Sequence, residues 1–313
     1  MFIQSSPIQN LTCEKFSQAD LTVCIKRDEL LHPIVSGNKW RKLKYFFSSK
    51  LPAHIISFGG AYSNHIHALS YLAAELNIPL TLYIRGEERW LEQPDILSPT
   101  LADCLQVGAQ LKFLDRQSYR LKDSIEFKQQ VLKSYPADTL WIAEGGCDKL
   151  ALQGVAELLS EQQNNFDYII CPVGSATTLA GLVTAAKPNQ TVIGIAALKQ
   201  AEYLRTRIAE LAGREHTNWQ LLTDFHCGGF GKINHGLLEL AHRVYQQHAI
   251  TLDPIYTCKM WFAFEQLLEQ GYFQRGSKVM LLHTGGLQGW RGLLQQSLVT
   301  NDYLSQIGLP LAD

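Results

Sequence analysis

The chain has 313 residues, a formal net charge of −1 and 46% hydrophobic residues. The chain is longer than a typical chain that folds around a single hydrophobic core. Two domains, or one large α/β domain with an insertion, are therefore expected. The balanced charge argues against a nucleic-acid or membrane-surface partner, either of which needs a basic surface. No apolar run approaches the ~20 residues that cross a bilayer.

The seven cysteines are scattered along the chain, with no Cys-x-x-Cys pair. This pattern argues against a disulfide framework and a structural zinc site, and it predicts free buried thiols in a reducing compartment. His65 and His67 stand two apart and therefore point to different faces of a helix, so no metal is expected. Met1–Asn10 lacks the basic start and apolar middle of a signal peptide, and a cytoplasmic location is predicted.

Hydrophobic periodicity and turn residues predict strands that alternate with helices along the chain. In the first half the predicted strands are 21–26, 55–58, 78–84, 110–114 and 140–143, and the predicted helices are 39–49, 64–75 with Ser63 as cap, 101–107 and 119–134, with a loop over 85–99. In the second half the predicted strands are 168–173, 191–197, 220–225 and 278–283, and the predicted helices are 149–161, 179–186, 202–212, 236–248 and 259–269. Such alternation implies parallel β-α-β units with helices on both faces, which is an α/β fold.

The stretch Ser36–Lys42 carries the amine of greatest chemical interest, Lys39. It opens a predicted helix directly after Gly37, and Arg41 and Lys42 follow it. Neighbouring cations and the positive end of the helix dipole would both disfavour the ammonium form, which makes a lysine nucleophilic near neutral pH. The alternative is an ordinary basic, solvated helix face beside an apolar stripe.

Ligands of parallel sheets bind at the carboxyl ends of strands, in the turns that lead into helices. The first such turn is Gly59-Gly60-Ala61-Tyr62-Ser63-Asn64-His65. Its glycines let the backbone approach a ligand, and the amides and hydroxyl at a helix start suit a carboxylate. A simple N-cap at Ser63 after a tight turn remains the alternative.

The second turn, Gly174-Ser175-Ala176-Thr177-Thr178, follows a predicted strand and opens a helix. Several free amides and three hydroxyls in one turn indicate a phosphate site. The turn is neither a Walker sequence nor a dinucleotide fingerprint, and plain helix capping is the alternative. Two further turns, Asp253-Pro254-Ile255-Tyr256-Thr257 and His283-Thr284-Gly285-Gly286, are weak signals when each is taken alone.

Six motifs in this order resemble one family along nearly the whole chain. They are Ser36-Gly37-Asn38-Lys39-Trp40-Arg41-Lys42-Leu43-Lys44-Tyr45, Ser63-Asn64-His65, Glu144-Gly145-Gly146, Gly174-Ser175-Ala176-Thr177-Thr178-Leu179-Ala180-Gly181, Asp253-Pro254-Ile255-Tyr256-Thr257 and His283-Thr284-Gly285-Gly286. The chain resembles the 1-aminocyclopropane-1-carboxylate deaminase and D-cysteine desulfhydrase family of pyridoxal-phosphate enzymes.

The resemblance implies the tryptophan synthase β-like fold (fold type II), with two α/β domains built on open parallel twisted sheets. A small domain, 50–147, would be inserted into a large one made of 1–49 and 148–313, with pyridoxal 5'-phosphate in the cleft between them. Lys39 would carry the cofactor as a Schiff base, Asn64 would bond its 3′-oxygen, and the turn 174–178 would bind its phosphate. Thr284 would meet the pyridine nitrogen. A homodimer and a small amino-acid substrate are also implied.

The resemblance further implies that Ser63, Asn64 and His65 bind the substrate carboxylate, with Lys39, Ser63 and Tyr256 as catalytic residues. Deaminases of the family carry a glutamate after the tyrosine, where this chain has Thr257. A neutral hydroxyl at Thr284 would leave the cofactor a weaker electron sink, which suits β-elimination to a 2-oxo acid and ammonia.

One departure from the family pattern lies in His226–Lys232, where Phe230 replaces a second active-site tyrosine. Three alternatives to the β-eliminating lyase therefore stay open. They are a 1-aminocyclopropane-1-carboxylate deaminase, a catalytically silent pyridoxal-phosphate-binding protein, and a nucleotide- or sugar-phosphate-binding α/β protein that uses the turn 174–178.

Overall fold

The computed structural model describes residues 5–48, 50–93, 96–160, 165–213 and 215–309. Ser49 and Glu161, the last residues of two predicted helices, lie outside these ranges. The described residues form ten strands: β1 Ile8–Leu11, β2 Thr22–Arg27, β3 His54–Gly60, β4 Leu80–Arg85, β5 Gln110–Leu114, β6 Thr139–Trp141, β7 Tyr168–Val173, β8 Thr191–Ala196, β9 Trp219–Leu222 and β10 Lys278–His283.

The same residues form thirteen α-helices: α1 Glu14–Gln18, α2 Asn38–Lys44, α3 Asn64–Glu75, α4 Pro99–Gln106, α5 Arg116–Arg120, α6 Ile125–Leu132, α7 Lys149–Ser160, α8 Thr177–Ala185, α9 Tyr203–Ala212, α10 His235–His248, α11 Thr257–Glu269, α12 Gly289–Gln295 and α13 Asn301–Gln306. Short 3₁₀ helices cover Asp28–Leu30, Tyr45–Phe47, Glu88–Glu92 and Glu144–Gly146. No helix in the described ranges is long and apolar enough to cross a membrane.

Two separate sheets organise the chain. The large sheet has the order β1-β2-β10-β7-β8-β9, and the small sheet has the order β5-β4-β3-β6. Strand β10 is central, with Met280 opposite Cys24 of β2 and Ile169 of β7. The β1–β2 pair is antiparallel, unlike the all-parallel expectation, and every other pairing among the described strands is parallel.

The central strands are buried on both faces, as the continuous apolar runs predict. Val279 and Leu281 of β10 pack into the cluster that contains Trp261 and Phe264 of α11. Met280 and Leu282 pack into a second cluster on the opposite face. Because side chains alternate along a strand, one six-residue segment joins both layers of the large unit.

The predicted helix over 119–134 is wrong, since the structure has two short helices there. Ser124 stands between them and caps α6 by accepting a hydrogen bond from the Phe127 N–H at 3.2 Å. A serine in this position competes with a continuous helix because its hydroxyl replaces the missing backbone partner. The strand β1 and the helices α1, α12 and α13 were not predicted.

The strands of the small sheet all come from residues 54–141, between β2 and β7. The apolar core of this sheet also includes Val35, Trp40, Leu43 and Phe46, which lie before residue 50. Helix α2 therefore packs on the small sheet while it belongs, by the predicted boundaries, to the large unit. The division into 1–49 with 148–313 and 50–147 stays a prediction.

Candidate active site

A cleft lies where the carboxyl ends of β3, β7 and β10 approach one another. Its lining includes Lys39, Asn64, Ser175, Tyr256 and Thr284. These residues come from the lysine stretch and from all four turns that the sequence singled out. No group of three or more potential metal-ligating side chains occurs in the parts of the chain that the structure describes.

Gly37 brings the lysine to the end of β10. Its φ of 64° lies in the left-handed region, and a Cβ at this position would stand 2.0 Å from the Thr284 carbonyl oxygen. The Asn38 N–H donates to that same oxygen at 3.1 Å. Only glycine permits this approach, so α2 starts directly against the loop after β10 and Lys39 enters the cleft.

The Lys39 side chain is partly exposed to the cleft, and burial of its amine lowers the pKa to about 8 from an ordinary 10.5. The predicted cause, repulsion by neighbouring cations, is therefore not the main one. Arg41 is buried and turns to Asp28, to which its Nε donates at 2.6 Å. The alternative of a solvated basic face is wrong, because Arg41 and Lys42 are both buried.

Lys42 is the site residue that the sequence reasoning missed. Its side chain is 1% exposed and lines the cleft, and its Nζ donates to Ser175 Oγ at 3.3 Å. Burial, together with the charge of Lys39, lowers its pKa well below the ordinary value. The available signal was its spacing, because residues i and i+3 share a helix face.

The turn from β7 into α8 has the donors of an anion site. The N-cap residue of α8 is Ala176, which has no polar side chain to cap the helix, so the N–H groups of its first turn are open to a ligand. The buried Thr177 hydroxyl has no hydrogen-bond partner among the described residues. Asn38 Nδ2 donates to Thr178 Oγ1 at 3.1 Å, which joins the turn to α2.

These groups fit the phosphate of pyridoxal phosphate. Lys42 forms no ion pair with any carboxylate in the described ranges. A phosphate would therefore supply the negative charge that its ammonium group needs as a partner. Lys39 would offer a nucleophilic amine to the aldehyde of the cofactor, and Asn64 and Thr284 would offer polar groups to its ring. The residues that would hold the cofactor are thus brought together in one cleft.

The turn Gly59–His65 makes more hydrogen bonds within the protein than the sequence predicted. Ser63 Oγ accepts from the His65 N–H at 3.3 Å and so caps α3. The His65 ring is buried against Ser57 Oγ, 2.9 Å from its Nε2, and burial with the charges of Lys39 and Lys42 holds its pKa well below the ordinary value. Of the three predicted carboxylate-binding residues, Asn64 alone lines the cleft.

Tyr256 lies on the opposite wall. A Cβ on Gly174 would meet its Cε1 at 2.5 Å, so the absent side chain makes room for the phenol. Asp253 fixes the turn by accepting from the N–H groups of Tyr256 at 2.9 Å and Thr257 at 2.7 Å. The Thr257 hydroxyl also bonds Asp253, and it does not line the cleft. Burial raises the pKa of Tyr256 above its ordinary value.

A two-sheet α/β fold whose cleft holds a half-buried lysine of lowered pKa and a strand-to-helix anion turn is typical of pyridoxal-phosphate enzymes of fold type II. Comparison with known proteins supports this assignment. Residues 2–285 match the model of the family described as "Pyridoxal-phosphate dependent enzyme", and the chain belongs to that family. The predictions of fold class and cofactor are confirmed, and nucleotide or sugar-phosphate binding loses its support.

Several relatives are similar over most of their length. A "Putative 1-aminocyclopropane-1-carboxylate deaminase" of Pyrococcus horikoshii is 28% identical over 285 residues, which cover 85% of each chain. A "Putative D-cysteine desulfhydrase 2, mitochondrial" of Oryza sativa subsp. japonica is 24% identical over 87% of this chain and 79% of its own. The crystal structure of an ACC deaminase homologue covers 95% of both chains with a TM-score of 0.80 and 27% identity.

Proposed function

We propose that the enzyme is a lyase of a small amino acid that removes a β-substituent and yields a 2-oxo acid and ammonia, as a D-cysteine desulfhydrase does. The observation that carries this proposal is the lack of an acidic side chain in the cleft, since no Asp or Glu of the described residues lines it. Bound pyridoxal phosphate supplies an electron sink for charge at the substrate α-carbon. A neutral Thr284 partner makes that sink weak, which favours expulsion of a leaving group.

The proposed roles follow from the proton-binding properties of the side chains. Lys39 would hold the cofactor and, once displaced by the substrate amine, would take the α-proton on Nζ. Its pKa of about 8 lets it accept and return a proton near neutral pH. Tyr256 keeps its phenolic proton and would donate it to the departing group. Ser63 Oγ accepts from the His65 N–H and keeps its own proton, so it would donate that proton to the substrate carboxylate after a shift of the turn toward the cleft, which Ser63 does not line.

A second candidate is ring opening of 1-aminocyclopropane-1-carboxylate, which is supported by the name of the Pyrococcus horikoshii relative. Phe230 supports a third, a silent pyridoxal-phosphate-binding protein. Its ring is 52% exposed and lies 6.0 Å from the Tyr256 ring, centroid to centroid, without a hydroxyl to offer the substrate.

One experiment separates these candidates. The purified protein is incubated with D-cysteine, with D- and L-serine derivatives and with 1-aminocyclopropane-1-carboxylate, and 2-oxo acid and ammonia are measured. Lys39→Ala is the control and should release neither. Product from D-cysteine supports the lyase, product from the cyclopropane supports the deaminase, and a yellow protein without turnover on any substrate refutes both.

We also propose a homodimer, a cytoplasmic location and the division into a small unit, 50–147, and a large unit made of 1–49 and 148–313. The family resemblance supports the dimer, and the scattered free thiols support a reducing compartment. Trp261 and Trp290 are buried in the large-sheet core and are therefore not available as interface anchors. Sedimentation equilibrium at micromolar concentration tests the dimer, and a monomer mass would refute it.

A further inference from the structure

Gln288 makes a contact that no assigned role requires. Its Nε2 donates to Asn64 Oδ1 at 3.0 Å, and both residues line the cleft. This bond turns the Asn64 oxygen toward Gln288 and leaves its Nδ2 as the donor that a ligand can meet. A Cβ on Gly286 would stand 2.6 Å from that Nδ2, so the glycine provides the room in which the amide nitrogen lies.

A second contact joins the same two helices one turn further on. His67 lies three residues after Asn64 on α3, and its Nε2 is 3.0 Å from Asp103 Oδ2. Arg291 lies three residues after Gln288 on α12 and bonds Asp103 through Nη1 at 2.5 Å and Nη2 at 3.2 Å. The Asn64–Gln288 bond links α3 to the N-cap residue of α12, and Asp103 of α4 links His67 of α3 to Arg291 of α12, so the two sets form two rungs between α3 and α12.

The second rung is strong enough to hold the first in register. Asp103 is 6% exposed, and burial alone would raise the pKa of its carboxyl, but the hydrogen bonds from His67 and Arg291 hold that pKa below the ordinary value. A buried carboxylate with a charged, two-pronged partner has little freedom to move. Gln288 consequently meets Asn64 from a fixed direction.

We propose that Gln288 is a positioning residue that fixes the Asn64 carboxamide with its Nδ2 turned to the cleft. The amide then presents a donor to the phenolic oxygen of pyridoxal phosphate. This inference rests on the proposed role of Asn64 in holding the cofactor ring. Without Gln288 the carboxamide could turn and present an oxygen to an oxygen.

Two substitutions of Gln288 test the orientation. Gln288→Met keeps the length and removes the donor, while Gln288→Glu keeps the shape and replaces the donor by a carboxylate oxygen, which favours the reversed amide. The readouts are the dissociation constant for pyridoxal phosphate and the absorption maximum of the bound cofactor. We expect affinity to fall about fivefold for Gln288→Met and at least about tenfold for Gln288→Glu, with a shifted maximum.

A double-mutant cycle shows whether the effect passes through Asn64. Asn64→Ala combined with Gln288→Met should bind the cofactor no more weakly than Asn64→Ala alone, because Gln288 then has nothing to orient. Gln295→Met is the matched control, since Gln295 on the same helix donates to the Leu97 carbonyl at 2.8 Å and does not line the cleft. Its affinity and spectrum should match the wild type.

Three outcomes overturn the inference: unchanged affinity and spectrum in both Gln288 variants, additive effects in the cycle, or an equal loss in Gln295→Met. Thermal unfolding checks that each variant is folded, and Gln288→Glu serves if Gln288→Met is not. Failure of the proposed lyase activity is distinguishable. A wild type that binds the cofactor but releases no 2-oxo acid leaves the binding comparison intact.

Discussion

Replacing Lys42 by methionine should change two properties of the protein in opposite directions. The Lys42 ammonium is buried, lacks a carboxylate partner in the described chain, and meets only the Ser175 hydroxyl at 3.3 Å. In the cofactor-free protein this buried, unpaired charge lowers the free energy of unfolding. With a phosphate in the turn before α8 it gains an anion, so the same group opposes the fold without cofactor and supports binding of cofactor.

The size of each effect follows from the contacts. A hydrogen bond between charged partners contributes about 1.5–3 kcal/mol, so Lys42→Met should weaken pyridoxal phosphate binding about 10- to 150-fold. Removal of the unpaired charge should stabilise the cofactor-free protein by about 1–2 kcal/mol, or roughly 1.5–3 °C in melting temperature. The pKa of Lys42 is lowered in the fold, so this gain is present at pH 7 and vanishes above the unfolded pKa, where lysine is neutral in both states.

The assay pairs a titration of cofactor-free protein with pyridoxal phosphate and differential scanning calorimetry of the same sample. Lys44→Met is the matched control, because Lys44 lies on the same helix but pairs with Glu157 at 2.6 Å near the surface. It should keep its affinity and lose at most about 1 kcal/mol of stability. If Lys42→Met loses stability and keeps its affinity, Lys42 is a structural residue and the phosphate assignment is wrong.

Three further predictions use other parts of the site. The pKa of Lys39 is about 8, and only its free amine would attack the aldehyde of the cofactor. The rate of cofactor uptake should therefore rise about tenfold per pH unit below pH 8 and level off above it. A rate that continues to rise up to pH 10 would contradict this assignment. Gly37→Ala should destabilise the protein by roughly 2–4 kcal/mol in urea unfolding, since its Cβ would meet the Thr284 carbonyl, and a loss under 1 kcal/mol would refute the contact. Asp253→Asn sets an amide donor against the Thr257 N–H and should cost about 1–3 kcal/mol in urea unfolding; a stability equal to wild type would show that the cap is not needed.

Most of the fold and the position of the cleft could be predicted from the sequence, because both depend on local patterns. Buried strands such as 168–173 and 278–283 have continuous apolar runs, and parallel strands place their carboxyl ends on one edge, so turns far apart in the chain could be expected to meet. Lys39 stood out because Gly37 precedes it at a helix start. These are signals of periodicity and turn chemistry.

The remaining features depend on contacts between distant segments. Lys42 becomes a site residue only because α2 lies against the turn at Ser175. Residue type alone does not distinguish it from Lys44, and its i, i+3 spacing from Lys39 indicates a shared helix face but not what that face contacts. Arg41 looked like a solvated cation until Asp28 was found beside it. The rungs between α3 and α12 depend on contacts between residues more than 180 positions apart, Asn64 with Gln288 and Asp103 of α4 with Arg291. No local pattern reports such a pairing.

The placement of α2 has a consequence for protein engineering. Trp40 and Leu43 are packed in the core of the small sheet, while a Cβ on Gly154 of α7 would stand 1.9 Å from the Arg41 carbonyl oxygen. One seven-residue helix thus carries complementary surfaces for both halves of the enzyme. A chimaera that exchanges 50–147 with a relative would separate Trp40 and Leu43 from the partners they were selected with. A crossover before residue 31, which transplants the lysine helix with the small sheet, keeps that interface whole and moves the new junction to the contacts of α2 with α7, Asp28 and Thr284.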